Sequence, residues 1–416
     1  MNASGVGTRT GKLWNRTFVF CMLISGLANM SNGMLSPALP IYITALGRGT
    51  EIAGTIVAIA TFLSMFGRGL SGGWSDKYSR KTIILVCLIC TVAAFLLFCF
   101  ADSLPLLILA KCLQGVSSGI LTTVLCTIAY DTLPPELLGS GIGMFALAGS
   151  LAQCIAPSIG TALARRGMYT TLFLSSAAAA AASFLILLTI PVELTAKAKL
   201  WQEAKRNGTA QRRGFHISDY LCRPAFPAAF LLIMNGIIHA AISNFLAHCG
   251  LTRGIESIAL FFTINSIVLI VARPLCGRIS DRRHIGWLII PGYIAMGAAC
   301  LLIAAAKNMV PIVIAAVCYG FGFGATMATS QLWAIRAAGP DQRSTANSTY
   351  YVGGDIGLAL GAYVAGALAA AVNYTVMYVI IAAVCAFSML WFIAYVLLRR
   401  KTARGMKPVD MTEPMQ

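Results

Sequence analysis

Ionisable side chains inside long apolar stretches are the first places to look for chemistry in this sequence. Asp355 lies about ten residues into the apolar run 346–370, and a carboxylate near mid-bilayer costs about 2.5–3.5 kcal/mol on insertion scales. A group kept there against that cost is a proton-relay candidate, with a structural polar anchor as the alternative. Lys111, in the run 105–128, is a titratable ammonium two turns from the end of its run. It can act inside a cavity or reach the surface along its own methylenes. His239 can change charge near neutral pH, although a lone histidine in an apolar helix is more often a packing residue. It shares a helical face with Asn235, and Asn29 shares one with Asn32.

Other chemistries find no support. The 13 cysteines mostly sit inside apolar runs, and Cys87-x-x-Cys90 has no second pair at zinc spacing. No metal or cofactor is therefore expected. The four histidines (His216, His239, His248, His284) are scattered, without an HExxH, which argues against a membrane-embedded enzyme. The glycine clusters Gly139-x-Gly141-x-Gly143 and Gly320-x-Gly322-x-Gly324 have no surrounding βαβ unit, and no Walker-type segment occurs. The tail after Leu398 is too short for the signalling domain a sensor would carry.

The elements that position these residues are helices long enough to cross a bilayer. The chain has 416 residues, 58% hydrophobic and 11% charged, with mean hydropathy +0.79; soluble domains carry about 25% charged residues. Runs of the required ~20 apolar residues occur near 17–40, 53–73, 82–101, 105–128, 138–163, 168–191, 225–247, 256–276, 285–306, 310–333, 346–370 and 374–398. The division expected is an N-tail (1–16), a first bundle (17–192), a basic linker (193–223), a second bundle (224–398) and a C-tail (399–416). Of the 31 Lys and Arg, five (Arg48, Arg165, Arg166, Arg253, Lys307) fall in outer loops and Lys111 in a span. The rest group on the other side, so both termini are expected in the cytoplasm of a bacterial-type cell membrane. The formal charge of +17 is then a topology signal and a contact with anionic lipid rather than a nucleic-acid footprint.

The two halves repeat at one offset of 205 residues: Arg68 matches Arg273, Gly72 matches Gly277, Ser75-Asp76 matches Ser280-Asp281, Gly115 matches Gly320, Gly119 matches Gly324, and Gly149 matches Gly354. A gap-free register over about a hundred residues marks a duplicated six-span unit.

Gly72-Gly73-Trp74-Ser75-Asp76-Lys77-Tyr78-Ser79-Arg80-Lys81, between spans two and three, resembles the loop 2–3 signature of the major facilitator superfamily, with Ser79 in place of the usual glycine. Its copy keeps Arg273, Gly277, Asp281 and Arg282. Lys111-Cys112-Leu113-Gln114-Gly115 is similar to the superfamily's R-x-x-Q-G motif, with lysine for arginine. Gly143, Ala152, Ala156, Pro157 and Gly160 fall where efflux-type members carry a glycine-rich span-five motif; small residues four apart let helices approach closely in lipid. The matching stripe on span eleven is Gly353, Gly357, Gly361, Ala365 and Ala369.

The resemblance implies an all-α membrane protein of twelve transmembrane helices in two six-helix bundles, with a substrate site between them. It implies a cytoplasmic latch built from Gly72, Asp76, Lys77, Arg80, Lys81 and Asp131, and places spans five and eleven at the seam between the bundles. Spans one, four, seven and ten would line the cavity, making Asn29, Asn32, Gln114, Asn235 and Tyr319 pocket candidates. Proton-coupling candidates are Asp355, Lys111 and His239. Two residues from Gly353 is 200° around a helix, so Asp355 is expected to face away from the stripe, with a partner inside its own bundle near Tyr351. The function implied is secondary transport by a monomer, first as proton-driven export of a small amphipathic molecule. The alternative is symport or facilitated uptake of an organic anion drawn to Lys111.

Overall fold

In the computed structural model, residues 13–47, 50–101, 103–189, 220–255, 258–339 and 342–405 are described, and among them twelve long helices account for the expected spans. The first bundle comprises α1 (Arg16–Ala45), α2 (Thr50–Lys77), α3 (Arg80–Phe98), α4 (Leu104–Asp131), α5 (Leu138–Arg165) and α6 (Tyr169–Leu188). The second comprises α7 (Phe226–Thr252), α8 (Ala259–Arg282), α9 (Gly286–Ala305), α10 (Met309–Ala338), α11 (Arg343–Ala371) and α12 (Tyr374–Gly405). Eleven helices among the described residues cross a membrane by length and composition; α2 completes the set as the repeat partner of α8. Most of the linker expected at 193–223 lies outside the described residues.

Local sequence explains where the helices stop. Pro134 and Pro135 end the α4–α5 connection in a 3-10 turn, Pro135–Leu137, because proline is tolerated only where its missing N–H is not needed. Gly167 (φ 71°) follows α5 and Gly339 (φ 73°) follows α10, in a backbone region that side chains with a Cβ disfavour.

Each bundle has its own apolar interior. Phe95, Phe98, Leu107 and Phe173 pack together in the first, and Phe261, Tyr293, Met296 and Tyr319 in the second. The small-residue stripes serve these interiors. A Cβ at Gly160 would collide with the backbone of Met34 on α1, and one at Gly357 with the backbone of Ile233 on α7. Ala156 likewise faces Gly33. The stripes thus join α5 to α1 and α11 to α7, while different faces of α5 and α11 meet the opposite bundle.

That seam is built twice, following the repeat. Gly143 lies against the carbonyl of Arg273, and Gly277 against that of Gly139. At the equivalent positions Ser348 donates to the carbonyl of Arg68 at 2.5 Å, and Gly72 packs on the backbone of Thr345. So α5 closes on α8, and α11 on α2, with backbones nearly touching.

Candidate functional site

The seam begins at the loop 2–3 side with charged caps. Asp281, at the end of α8, accepts from the backbone N–H groups of Gly139 and Ser140 at 2.6 and 2.7 Å, and from the Ser140 hydroxyl at 2.6 Å. The first amides of a helix have no partner within it and favour a negative charge, so one carboxylate ties the second bundle to the start of α5. Arg336 also reaches Asp281, at 3.5 Å, whereas the neighbouring Arg282 is exposed. The side chains of the matching Asp76 and of Lys77 lie outside the described residues.

Arg80 and Asp131 pair at 2.5 Å, joining α3 to α4 within one bundle. What carries Asp131 across the seam is Arg343 at the start of α11, which bonds its carboxylate and the Tyr130 carbonyl, both at 3.3 Å. Lys81 reaches the Leu188 carbonyl at 3.3 Å, tying α3 to the end of α6. In the C-terminal half Arg336 stands at the repeat position of Asp131, and its acid partner is Asp281, the counterpart of Asp76, while the Arg80 position is Ile285. Arg343 was not legible from the repeat, because its counterpart is Leu138.

Deeper in, Asn347 donates to the carbonyl of Thr123 at 3.2 Å and accepts from Gln331 at 2.9 Å. Gln331 also meets the Tyr351 hydroxyl at 3.1 Å, and that hydroxyl lies 3.5 Å from Cys126 Sγ on α4. Above this layer sit two arginines that a charge count along the sequence groups with the cytoplasmic loops. Arg68 and Arg273 are each nine residues before the end of their helix, about 13 Å along the axis from that end at 1.5 Å per residue.

Arg68 Nη1 bonds Asp355 Oδ1 at 3.0 Å, and its guanidinium lies 5.6 Å from the centre of the Tyr351 ring. The expectation that Asp355 finds its partner inside its own bundle is therefore corrected. The residue does turn away from the stripe that packs on α7, and that same turn points it at α2 of the other bundle. Tyr351 is nearby, but its ring lies beneath Arg68.

The remaining candidates form two groups. Lys111 Nζ donates to Gln114 Oε1 at 2.7 Å, and Gln114 Nε2 donates to Asn32 Oδ1 at 2.5 Å, giving one polar chain from α4 to α1. Asn29 instead returns to its own helix, at the Ser25 carbonyl, 2.7 Å away. In the second bundle His239 Nδ1 and the Tyr319 hydroxyl are 2.7 Å apart. Phe323, a residue absent from the expected set, stacks on His239 with centroids 4.9 Å apart. Asn235 is buried one helical layer away, accepting from Thr326 at 3.3 Å, with its own amide N–H groups unpaired. Among the described residues no three His, Cys, Asp or Glu side chains converge as metal ligands.

A family model for the Major Facilitator Superfamily matches residues 21–361 and 256–413. The chain belongs to that superfamily. Among solved members, FucP in its outward conformation superposes with a TM-score of 0.72 at 16% identity, covering 91% of this chain and 98% of that one. The human organic anion transporter MFSD10 gives 0.72 at 16% identity, with 90% and 98% covered. The Staphyloferrin B transporter of Staphylococcus aureus is 22% identical over 89% of this superfamily member and 91% of its own length. Multidrug resistance protein 3 of Bacillus subtilis is 30% identical over 37% of the chain, a match that spans only 30% of that relative. A myo-inositol transporter of Cryptococcus neoformans is matched over a similar 31% of its length. As a superfamily member the chain is a multi-pass membrane transporter of small molecules.

Proposed function

We propose that the protein couples transport to protons through the Asp355–Arg68 pair, moving its substrate by alternately opening the two sides of the bundle seam. The observation that carries this reading is the state of Asp355 itself. It is 8% exposed, one oxygen is held by Arg68, and the other has no hydrogen-bond partner. A half-satisfied carboxylate in a low-dielectric setting is costly, and a proton on the free oxygen removes its charge. Because the partner cation belongs to the other bundle, losing that charge loosens the seam in the same step. Proton binding and bundle movement thus share one contact, which is what coupling requires.

The substrate site in this reading lies between the Lys111–Gln114–Asn32 chain and the His239–Tyr319–Phe323 stack. Export is the first reading of direction, supported by the efflux-like residues Gly143, Pro157 and Gly160 and by the likeness to a multidrug resistance protein. Uptake of an organic anion is the second, favoured by the absence of a carboxylate partner for Lys111 among the described residues. We place the chain in a bacterial-type cytoplasmic membrane as a monomer, with both termini inside.

Proton movement in inside-out vesicles with an acid interior tests the proposal. A compound that releases protons with the wild type and not with Asp355→Asn supports it. Release that survives Asp355→Asn would sink the assignment and return attention to Lys111 and His239.

A further inference from the structure

The 205-residue repeat reproduces the surroundings of Arg68 around Arg273, with one substitution. Arg68 packs its methylenes on Gly119, and Arg273 packs its own on Gly324, the repeat partner. Arg68 lies over Tyr351, and Arg273 donates to the carbonyl of Ala146, the residue 205 positions before Tyr351. The position equivalent to Asp355 is Ser150. Its hydroxyl donates at 3.2 Å to the same Ala146 carbonyl that Arg273 reaches, so Ser150 stands beside Arg273 where an acid stands beside Arg68.

Arg273 is consequently a buried cation, 8% exposed, with no carboxylate partner among the described residues. Nη1 is satisfied by Ala146, whereas Nη2 meets only the Met327 sulfur at 4.0 Å. A guanidinium with a free donor edge and no counter-charge is poorly solvated where it sits and is matched in shape to a carboxylate or phosphate.

We propose that Arg273 binds the acidic group of the transported molecule, which takes the place that Asp355 occupies in the other half of the repeat. The inference rests on the transport reading and specifies its substrate class: a small organic anion. Direction and proton coupling do not enter it. Ser150, small and neutral, supplies no counter-charge at that position; an acid there would supply one permanently.

The test is equilibrium binding to the purified full-length protein in detergent, with no gradient. Acetate, benzoate and succinate, each beside its neutral amide, are titrated while the melting temperature is followed. Wild type should be stabilised by acids in preference to amides. Ser150→Asp should bind the acids roughly tenfold or more weakly, as expected when a charge-assisted contact is already satisfied internally. If Ser150→Asp does not elute as a folded monomer, Arg273→Gln replaces it, with Arg273→Lys expected to retain part of the preference. No acid preference in the wild type would overturn the proposal. So would acid binding by Ser150→Asp equal to that of the wild type, which would leave Arg273 as a tie between bundles. Acid binding without proton movement would sink the coupling reading and leave this one standing.

Discussion

At the level of single residues, the informative contrast is between two arginines in matching places. Arg68 is neutralised across the seam, and Arg273 has no carboxylate partner among the described residues. The difference traces to one position of the repeat, aspartate in one half and serine in the other. Asp355→Asn keeps the shape of the side chain and removes its titration. It should abolish substrate-driven proton release while leaving substrate binding within a few-fold of wild type, measured on the same vesicles and in detergent. The ionisable residues of the spans were readable in sequence, because charge inside an apolar run is conspicuous. Their partners were not. Arg68 and Asp355 are separated by 287 positions, and no local periodicity reports a contact of that kind. Arg68 and Arg273 fall inside the runs 53–73 and 256–276, yet the charge count grouped them with the loop charges because they lie near the loop end of those runs.

At the level of helices, the small-residue stripes were legible and their facing was not. Periodicity shows that Ala148, Ala152, Ala156, Gly160 and Ala164 share one side of α5. It does not say which neighbour lies on that side. In the structure the neighbour is α1, with Gly160 against the Met34 backbone, so the stripe fastens a bundle together, and the seam uses a different face. Gly160→Val forces that contact open, and overpacking of this kind costs about 1–3 kcal/mol, more when backbone must move. The expected result is a lower melting temperature for the whole bundle, read by intrinsic fluorescence on heating. At Gly149, which has only a loose contact with Asn29 at 3.7 Å, Ala should be tolerated; equal damage at both sites would count against this packing.

Across the whole molecule, the twofold pattern in sequence became a twofold pattern of contacts, with α5 on α8 and α11 on α2. The superfamily architecture was therefore available before any coordinates. Which state the bundles occupy was not, since every state shares one sequence. Here the loop 2–3 side of the seam is closed by Asp281 on the α5 amides and by Arg343 on Asp131. Asp281→Asn weakens charge-assisted bonds, each worth about 1.5–3 kcal/mol, and should shift the population toward states open on that side. Hydrogen exchange at Gly139 and Ser140 should accelerate by at least roughly tenfold, the equivalent of about 1.4 kcal/mol. Unchanged exchange there would mean that the cap does not hold the seam.

Cys126 lies within this closed layer, fully buried and with its sulfur 3.5 Å from the Tyr351 hydroxyl of the opposite bundle. A thiol reagent can reach it only while the two halves stand apart. Its alkylation rate, followed by peptide mass spectrometry among the other twelve cysteines, should therefore count openings of the unmodified transporter. Conditions that trap the closed seam should silence the signal, and Asp281→Asn should raise it. The native chain thus holds an intrinsic clock for its own cycle, placed where its two halves meet.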